Sequence, residues 1–119
     1  MAKTPEQKAL AANRAREDRK KNPERWREYD LKKSFGITLK QYKEMEESQK
    51  GVCAICGNPE VVIDNRTNKP RNLAVDHCHM TKKVRGLLCM GCNQGIGNFR
   101  ENPKFLIAAA SYVMKHNGP

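Results

Sequence analysis

Two Cys-x-x-Cys pairs, Cys53-Ala-Ile-Cys56 and Cys89-Met-Gly-Cys92, stand 32 residues apart in a chain of 119. A two-residue gap lets both sulfurs of one turn reach a single ion, and two such knuckles complete a closed tetrahedral set of four thiolates, the pattern of structural zinc. The competing reading is two unrelated thiol pairs. Gly57, just past the first pair, eases the positive φ that such turns need. A closed four-sulfur site has no open position, so its zinc folds the chain rather than catalysing. The fifth cysteine, Cys78, reads as a small packing residue, since the set of four is already complete.

A chain this short buries about two-thirds of the surface its unfolded form exposes, so its apolar core is thin and a metal is a natural supplement. Apolar residues are 38% of the total. No run approaches the roughly 18 apolar residues of a membrane span. The N-terminus, MAKTPEQKALAANRAREDRKK, lacks the continuous apolar stretch of a secretory signal. A reducing, cytoplasmic setting is therefore expected, where paired cysteines hold metal more often than they form disulfides.

The formal net charge is +10. Thiolate ligation of one zinc lowers the effective total to about +8. Such a balance favours a polyanionic partner. Residues 1–27 carry nine Lys/Arg and four Asp/Glu, residues 28–50 five of each, and residues 51–119 nine and four.

Three regions follow. Residues 1–21 form a basic N-terminal arm, helical from residue 4, with Thr4 as cap, Pro5 at the first position and Gln7 completing a capping box. Its apolar content is Ala and one Leu, so it reads as a solvated arm able to order on a phosphate backbone, or as a frayed tail. Residues 22–50 are a helical lead-in. One helix spans 22–35, capped by Asn22, opened by Pro23 and closed by Gly36, with Trp26 and Tyr29 as core anchors. Another spans 38–49, with Thr38 and Gln41 as a second capping box and Leu39, Tyr42 and Met45 along one side. Residues 51–119 hold the cysteines and end in a helix over 103–116. Asn102 caps it, and Phe105, Leu106, Ala109, Tyr112 and Val113 recur at helical spacing. His116 there complements the helix dipole.

Between the knuckles, Leu73-Ala-Val75 reads as a short strand running into Asp76-His77-Cys78-His79. Polar turn residues 80–83 follow, then a strand over Val84–Leu88, the second knuckle, and a short helix from Asn93 through Phe99. A hairpin packed on that helix brings Asp76 and His77 towards Asn93. Asp76 and Asn93 offer hard oxygen donors suited to Mg²⁺ or Mn²⁺. Two protein ligands leave room for phosphate oxygens, and His77 has the intrinsic pKa range to take a proton from water. Successive strand residues face opposite ways, so this constellation requires the strand to end or bulge between Asp76 and His77. The bland alternative makes Asp76 a turn residue and the histidines surface groups. Arg85 reads equally as a phosphate contact or a structural ion pair. Lys82, Lys83, Arg66, Lys69 and Arg71 read as backbone contacts or solubilising charge, with no base sequence implied.

Gly51-Val-Cys-Ala-Ile-Cys-Gly57, Val75-Asp-His-Cys-His79 and Val84-Arg-Gly-Leu-Leu-Cys-Met-Gly-Cys-Asn93 resemble the phage recombination endonuclease VII family, a branch of the HNH, or ββα-metal (His-Me finger), nucleases. Tyr29–Tyr42 is similar to that family's helical lead-in, and the resemblance covers about residues 22–115. It implies an α+β fold with a ββα-metal core, structural zinc on Cys53, Cys56, Cys89 and Cys92, and N-terminal and C-terminal flanking helices. It further implies His77 as general base, Asp76 and Asn93 holding catalytic Mg²⁺ or Mn²⁺, His79 assisting at the phosphate, and DNA products with 5′-phosphate and 3′-hydroxyl ends. A phage or prophage protein acting in the bacterial host is implied too. The family's junction-cleaving member has an acidic residue three positions after the asparagine, where this chain has Ile96. That member also has a further helical region for dimerisation and four-way-junction binding, beyond where this chain stops. A nicking enzyme, as monomer or homodimer, is therefore expected ahead of a Holliday-junction resolvase. A zinc-stabilised DNA-binding module without catalysis is the alternative from another class.

Overall fold

The computed structural model describes residues 2–117. Met1, Gly118 and Pro119, at the outer ends of the expected arm and C-terminal region, lie outside the described residues. Five helices and two small hairpins follow in order: α1 (Pro5–Lys21), α2 (Pro23–Phe35), α3 (Leu39–Ser48), β1 (Ile63–Asp64), β2 (Lys69–Pro70), β3 (Ala74–His77), β4 (Val84–Leu88), α4 (Met90–Asn98) and α5 (Pro103–Asn117). None of these helices is long and apolar enough to cross a membrane. The chain divides into two compact units, Met1–Glu44 and Met45–Pro119.

In the first unit, local chemistry sets the helix starts. Thr4 and Gln7 exchange both capping-box hydrogen bonds, at 2.9 and 3.2 Å. Thr38 and Gln41 do the same at 2.8 and 3.0 Å. Gly36 closes α2 in the left-handed conformation, φ 70°, where a side chain would be strained. Tyr42 and Leu31 are the buried apolar side chains here.

Two expectations fail in this unit. Asn22 makes no side-chain cap to α2; its amide donates instead to Asp18 Oδ1 at 2.8 Å. Trp26 and Tyr29 are not core anchors. Tyr29 is 51% exposed, and the Trp26 indole donates to Asp18 Oδ2 at 2.7 Å while Arg19 lies 4.4 Å from its ring centre. The cause is α1 itself, which packs against α2 through Asp18 and the Arg19–Asp30 pair. A polar helix has only polar anchors and ring faces to offer, so Trp26 satisfies its N–H there rather than in a core. No residue of α1 is buried, in keeping with a solvated helix.

The second unit gathers Cys53, Leu73, Val75, Leu87 and Leu88 as its buried apolar set. β3 and β4 pair antiparallel, and α4 packs against β3. The Gln49 side chain acts as an extra strand neighbour: it accepts from Leu87 N and donates to Leu87 O, both at 2.9 Å. Ala54 N donates to the same Leu87 carbonyl at 3.0 Å, fixing the first cysteine turn on β4. The β1–β2 hairpin was not anticipated. Asp64 turns it by accepting from Arg66 N at 2.9 Å, and Asn68 sits at φ 59°. On α5, Asn102 Oδ1 accepts from Lys104 N at 2.9 Å, the expected cap. Its apolar spacing, however, buries nothing: Phe105, Tyr112 and Val113 are about half or more exposed. The His116 ring lies 4.6 Å from that of Tyr112.

Candidate metal centre and active site

Cys53, Cys56, Cys89 and Cys92 converge, their sulfurs all within 4.8 Å of one another. Cys56 Sγ and Cys89 Sγ are 3.8 Å apart. That separation is far from the ~2.05 Å of a disulfide. It equals the edge of a tetrahedron whose arms are about 2.3 Å, the zinc–thiolate bond length. Two local devices aim the sulfurs. Gly57 takes φ 71° and returns its N–H to Cys53 O at 3.0 Å. Cys89 is the N-cap of α4, its sulfur accepting from Cys92 N at 3.4 Å, and Cys53 Sγ accepts from Ile55 N at the same distance.

The thiol electrostatics fit a cation. Burial pushes the Cys53 thiol up, but the amides of Cys56, Cys89 and Ile55 and the Cys92 side chain donate to it and bring it down to about 6. At Cys92, burial and the thiols of Cys89, Cys53 and Cys56 push the value up to about 12. Four adjoining thiols cannot all ionise beside one another. A divalent ion in their midst supplies the missing positive charge. Cys78 stands apart in the β3–β4 turn, its N–H donating to Lys83 O at 2.8 Å. Hydrogen bonds from the Thr81 hydroxyl and the Thr81 and Met80 amides lower its pKa.

The β3–β4 ladder breaks where the sequence argument requires it. Asp76 pairs with Gly86 and His77 with Val84, so Arg85 is the extra residue of a bulge. A bulge re-aims the residue left unpaired. Arg85 turns to Asp76 and donates through Nε to Oδ2 at 2.7 Å and through Nη2 to Oδ1 at 2.9 Å. Its Nη2 also contacts Glu101 Oε1, and the other oxygen of Glu101 lies 3.3 Å from His79 Nε2. The Asp76 and Glu101 hydrogen bonds together raise the Arg85 pKa further above its ordinary value. The rings of His77 and His79 are 5.2 Å apart, with His77 half-buried and His79 exposed. Lys82 and Lys83 are exposed in the turn, Lys82 at φ 65°.

Asn93 lies on the first turn of α4, half-buried, its N–H donating to Cys89 O at 2.9 Å. A cleft of about 290 Å³ is lined by Asp76, Arg85 and Glu101 together with Gly86, Leu88 and Ile96. The structure thus joins Asp76, Arg85, Glu101 and His79 in one chain of polar contacts, with His77 beside His79. Two acidic residues escaped the sequence reading. Glu101 carries no motif. Glu60, 8% exposed, accepts from Met90 N at 2.7 Å and Val62 N at 3.2 Å, and so holds the start of α4. The only sequence signal for Glu60 is an acid lying between the first knuckle and the hairpins.

Residues 28–115 match the family model for recombination endonuclease VII. The chain is 39% identical over 83 residues to the Gene 59 protein of Mycobacterium phage D29, across 69% of this chain and 46% of that protein. It is 37% identical over 82 residues to the Gene 59 protein of Mycobacterium phage L5, across 68% of this chain and 46% of that protein. The chain therefore spans about half the length of these curated relatives. No solved structure matches it.

Proposed function

Because the chain belongs to the recombination endonuclease VII family, we propose that it is a divalent-metal-dependent DNA endonuclease. Its cutting site is the β3–β4–α4 segment, a ββα-metal (HNH, His-Me finger) arrangement held by structural zinc on the four cysteines. The observation that carries this reading is the bulge at Asp76/His77, at the end of a hairpin against which α4, the helix bearing Asn93 and capped by Cys89 of the four-cysteine cluster, is packed.

In this reading His77 takes the proton from the attacking water, imidazole being the side chain that most often serves as a general base. Asp76 and Asn93 hold Mg²⁺ or Mn²⁺, both offering the oxygen donors these ions prefer. When bound, the ion supplies positive charge at the phosphate and at the leaving oxygen. His79, whose exposed ring stands next to His77, contacts the phosphate. Arg85 offers its fork to a phosphate oxygen. Lys82 and Lys83, exposed at the hairpin tip, steady the DNA backbone without reading bases. Products carry 5′-phosphate and 3′-hydroxyl ends, and one such site per chain nicks one strand.

A second reading has its own observation. Arg85 occupies both oxygens of Asp76, as befits a zinc-stabilised DNA-binding module without catalysis. Supercoiled plasmid separates the two. Open circles formed with Mg²⁺ or Mn²⁺ by the wild type, absent with EDTA and with His77→Ala, are the expected result, and linear product adds paired cutting. Wild-type rates in His77→Ala remove the assigned base. Salt-sensitive DNA binding with no cutting of plasmid or branched DNA selects the binding module.

A further inference from the structure

Glu101 reaches the site by an unusual backbone path. After α4, Arg100 and Glu101 take φ 57° and 54°, two successive left-handed residues, neither of them glycine or asparagine. The turn is pinned by Arg100 N to Gly97 O at 2.9 Å and Glu101 N to Ile96 O at 2.8 Å. Side chains with a Cβ pay for this conformation, and it persists where the surroundings over-determine it. What it achieves is the return of the Glu101 carboxylate to the β3–β4 bulge. There one oxygen meets Arg85 and the other His79, with the side chain only 21% exposed.

The arrangement poses a problem of exchange. Arg85 covers both oxygens of Asp76. The guanidinium takes one lone pair on each Asp76 oxygen, so a divalent cation approaching from the Arg85 side must displace it from at least one of them. With Asp76 as its sole counter-ion, Arg85, whose side chain is 41% exposed, would exchange a bidentate carboxylate for water alone when Asp76 turns to the cation. With Glu101 present, Arg85 keeps a carboxylate partner when Asp76 turns to the cation.

We propose that Glu101 is a positioning residue that acts through Arg85: it shares the guanidinium with Asp76, so that Asp76 can exchange Arg85 for a divalent cation. This rests on the metal-dependent reading above. Glu101 also tethers His79, so Arg85 and His79 stay on one side of the hairpin through the exchange. The shared fork requires arginine, since a lysine ammonium cannot span two carboxylates with fixed geometry.

The test is Mn²⁺ binding to the zinc-loaded full chain, read by electron paramagnetic resonance of free against bound Mn²⁺, in the wild type, Asp76→Asn, Glu101→Gln, Arg85→Ala and the Arg85→Ala/Glu101→Gln double variant. Zinc content and thermal melting confirm that each variant is folded. Asp76→Asn is expected to abolish the site. Glu101→Gln should weaken Mn²⁺ binding about tenfold in the wild-type background and less than about twofold in Arg85→Ala, because coupling through a shared partner vanishes when that partner is removed. An equal loss in both backgrounds means that Glu101 acts on the cation directly, and no loss in either means an idle ion pair; both overturn the proposal. Should Glu101→Gln not hold zinc, Glu101→Asp replaces it, with about threefold weakening expected in the wild-type background alone. Unchanged Mn²⁺ binding in that variant overturns the proposal as well. Wild-type protein that binds no Mn²⁺, or binds it independently of Asp76, defeats the metal-dependent reading itself, a result distinct from failure of Glu101 alone.

Discussion

Glu60 ties residue 60 to residue 90, and its removal should be felt throughout the second unit. Its carboxylate is almost wholly buried and accepts two backbone N–H groups, from Met90 at 2.7 Å and Val62 at 3.2 Å. Met90 is the first residue of α4, so the negative charge also sits at the positive end of the helix dipole. Glu60→Ala leaves both amides without this acceptor. A hydrogen bond to a charged group contributes about 1.5–3 kcal/mol, and recovered carboxylate hydration offsets part of that loss, so a net cost of about 2–4 kcal/mol is expected. Glu60→Gln keeps one acceptor oxygen and should cost about 1–2 kcal/mol. For a folded unit of this size each kcal/mol moves the melting temperature by roughly 4–8 °C, which puts Glu60→Ala about 8–32 °C below wild type. Circular-dichroism melts of the zinc-loaded proteins measure it, with Glu60→Gln falling between. An alanine variant melting within about 2 °C of wild type would refute the claim that this carboxylate anchors α4.

Other outcomes follow from the same structure. Removing metal with a strong chelator, or replacing Cys92 by Ala, should unfold the cysteine-bearing segment, because ligation and folding are coupled; metal analysis finding less than about one zinc per chain in a folded, active sample would contradict the four-thiolate site. Asp18 tests the first unit. Hydrogen bonds from Trp26 and Asn22 hold its pKa below the ordinary 3.8, so its contribution is present above that value and is lost as pH falls through the folded-state value. The emission of Trp26, the single tryptophan, should therefore change as the pH is lowered below about 4, and Asp18→Asn should abolish that change. An unchanged acid transition in the variant would assign it to another group.

The contrast between what the sequence discloses and what it conceals follows the range of each interaction. The capping boxes at Thr4/Gln7 and Thr38/Gln41, the Asn102 cap and the left-handed Gly36 all join groups within a few residues, so local spacing determines them. The cysteine cluster was readable for another reason: metal chemistry demands convergence whatever the intervening chain does. Trp26 misled because an aromatic at helical spacing looks like core until a polar helix supplies Asp18 from eight residues away. Gln49 to Leu87 and Glu60 to Met90 are 38 and 30 residues apart, and nothing near either partner announces the other. Glu101 was hidden most deeply. Its placement rests on two left-handed residues that no glycine marks.

These concealed contacts converge on α4. The helix has nine residues, three of them glycine, and buries no side chain completely. Each interior glycine disfavours a helix by about 1 kcal/mol relative to alanine, and isolated helices shorter than about 12–15 residues are marginal in water. Its own sequence therefore cannot hold α4 in place. What holds it are its ends: Cys89 as N-cap and member of the four-cysteine cluster, the buried Glu60 carboxylate on Met90, and the left-handed turn that ties Glu101 to Arg85. Asn93 sits one residue beyond Cys92, and Glu101 three residues beyond the helix. A metal bound by the four thiols thus fixes more than stability. By setting where α4 starts, it sets where Asn93 points and whether Glu101 can reach the bulge. Loss of metal should then disable the proposed cutting site together with the fold of the cysteine-bearing segment that carries it.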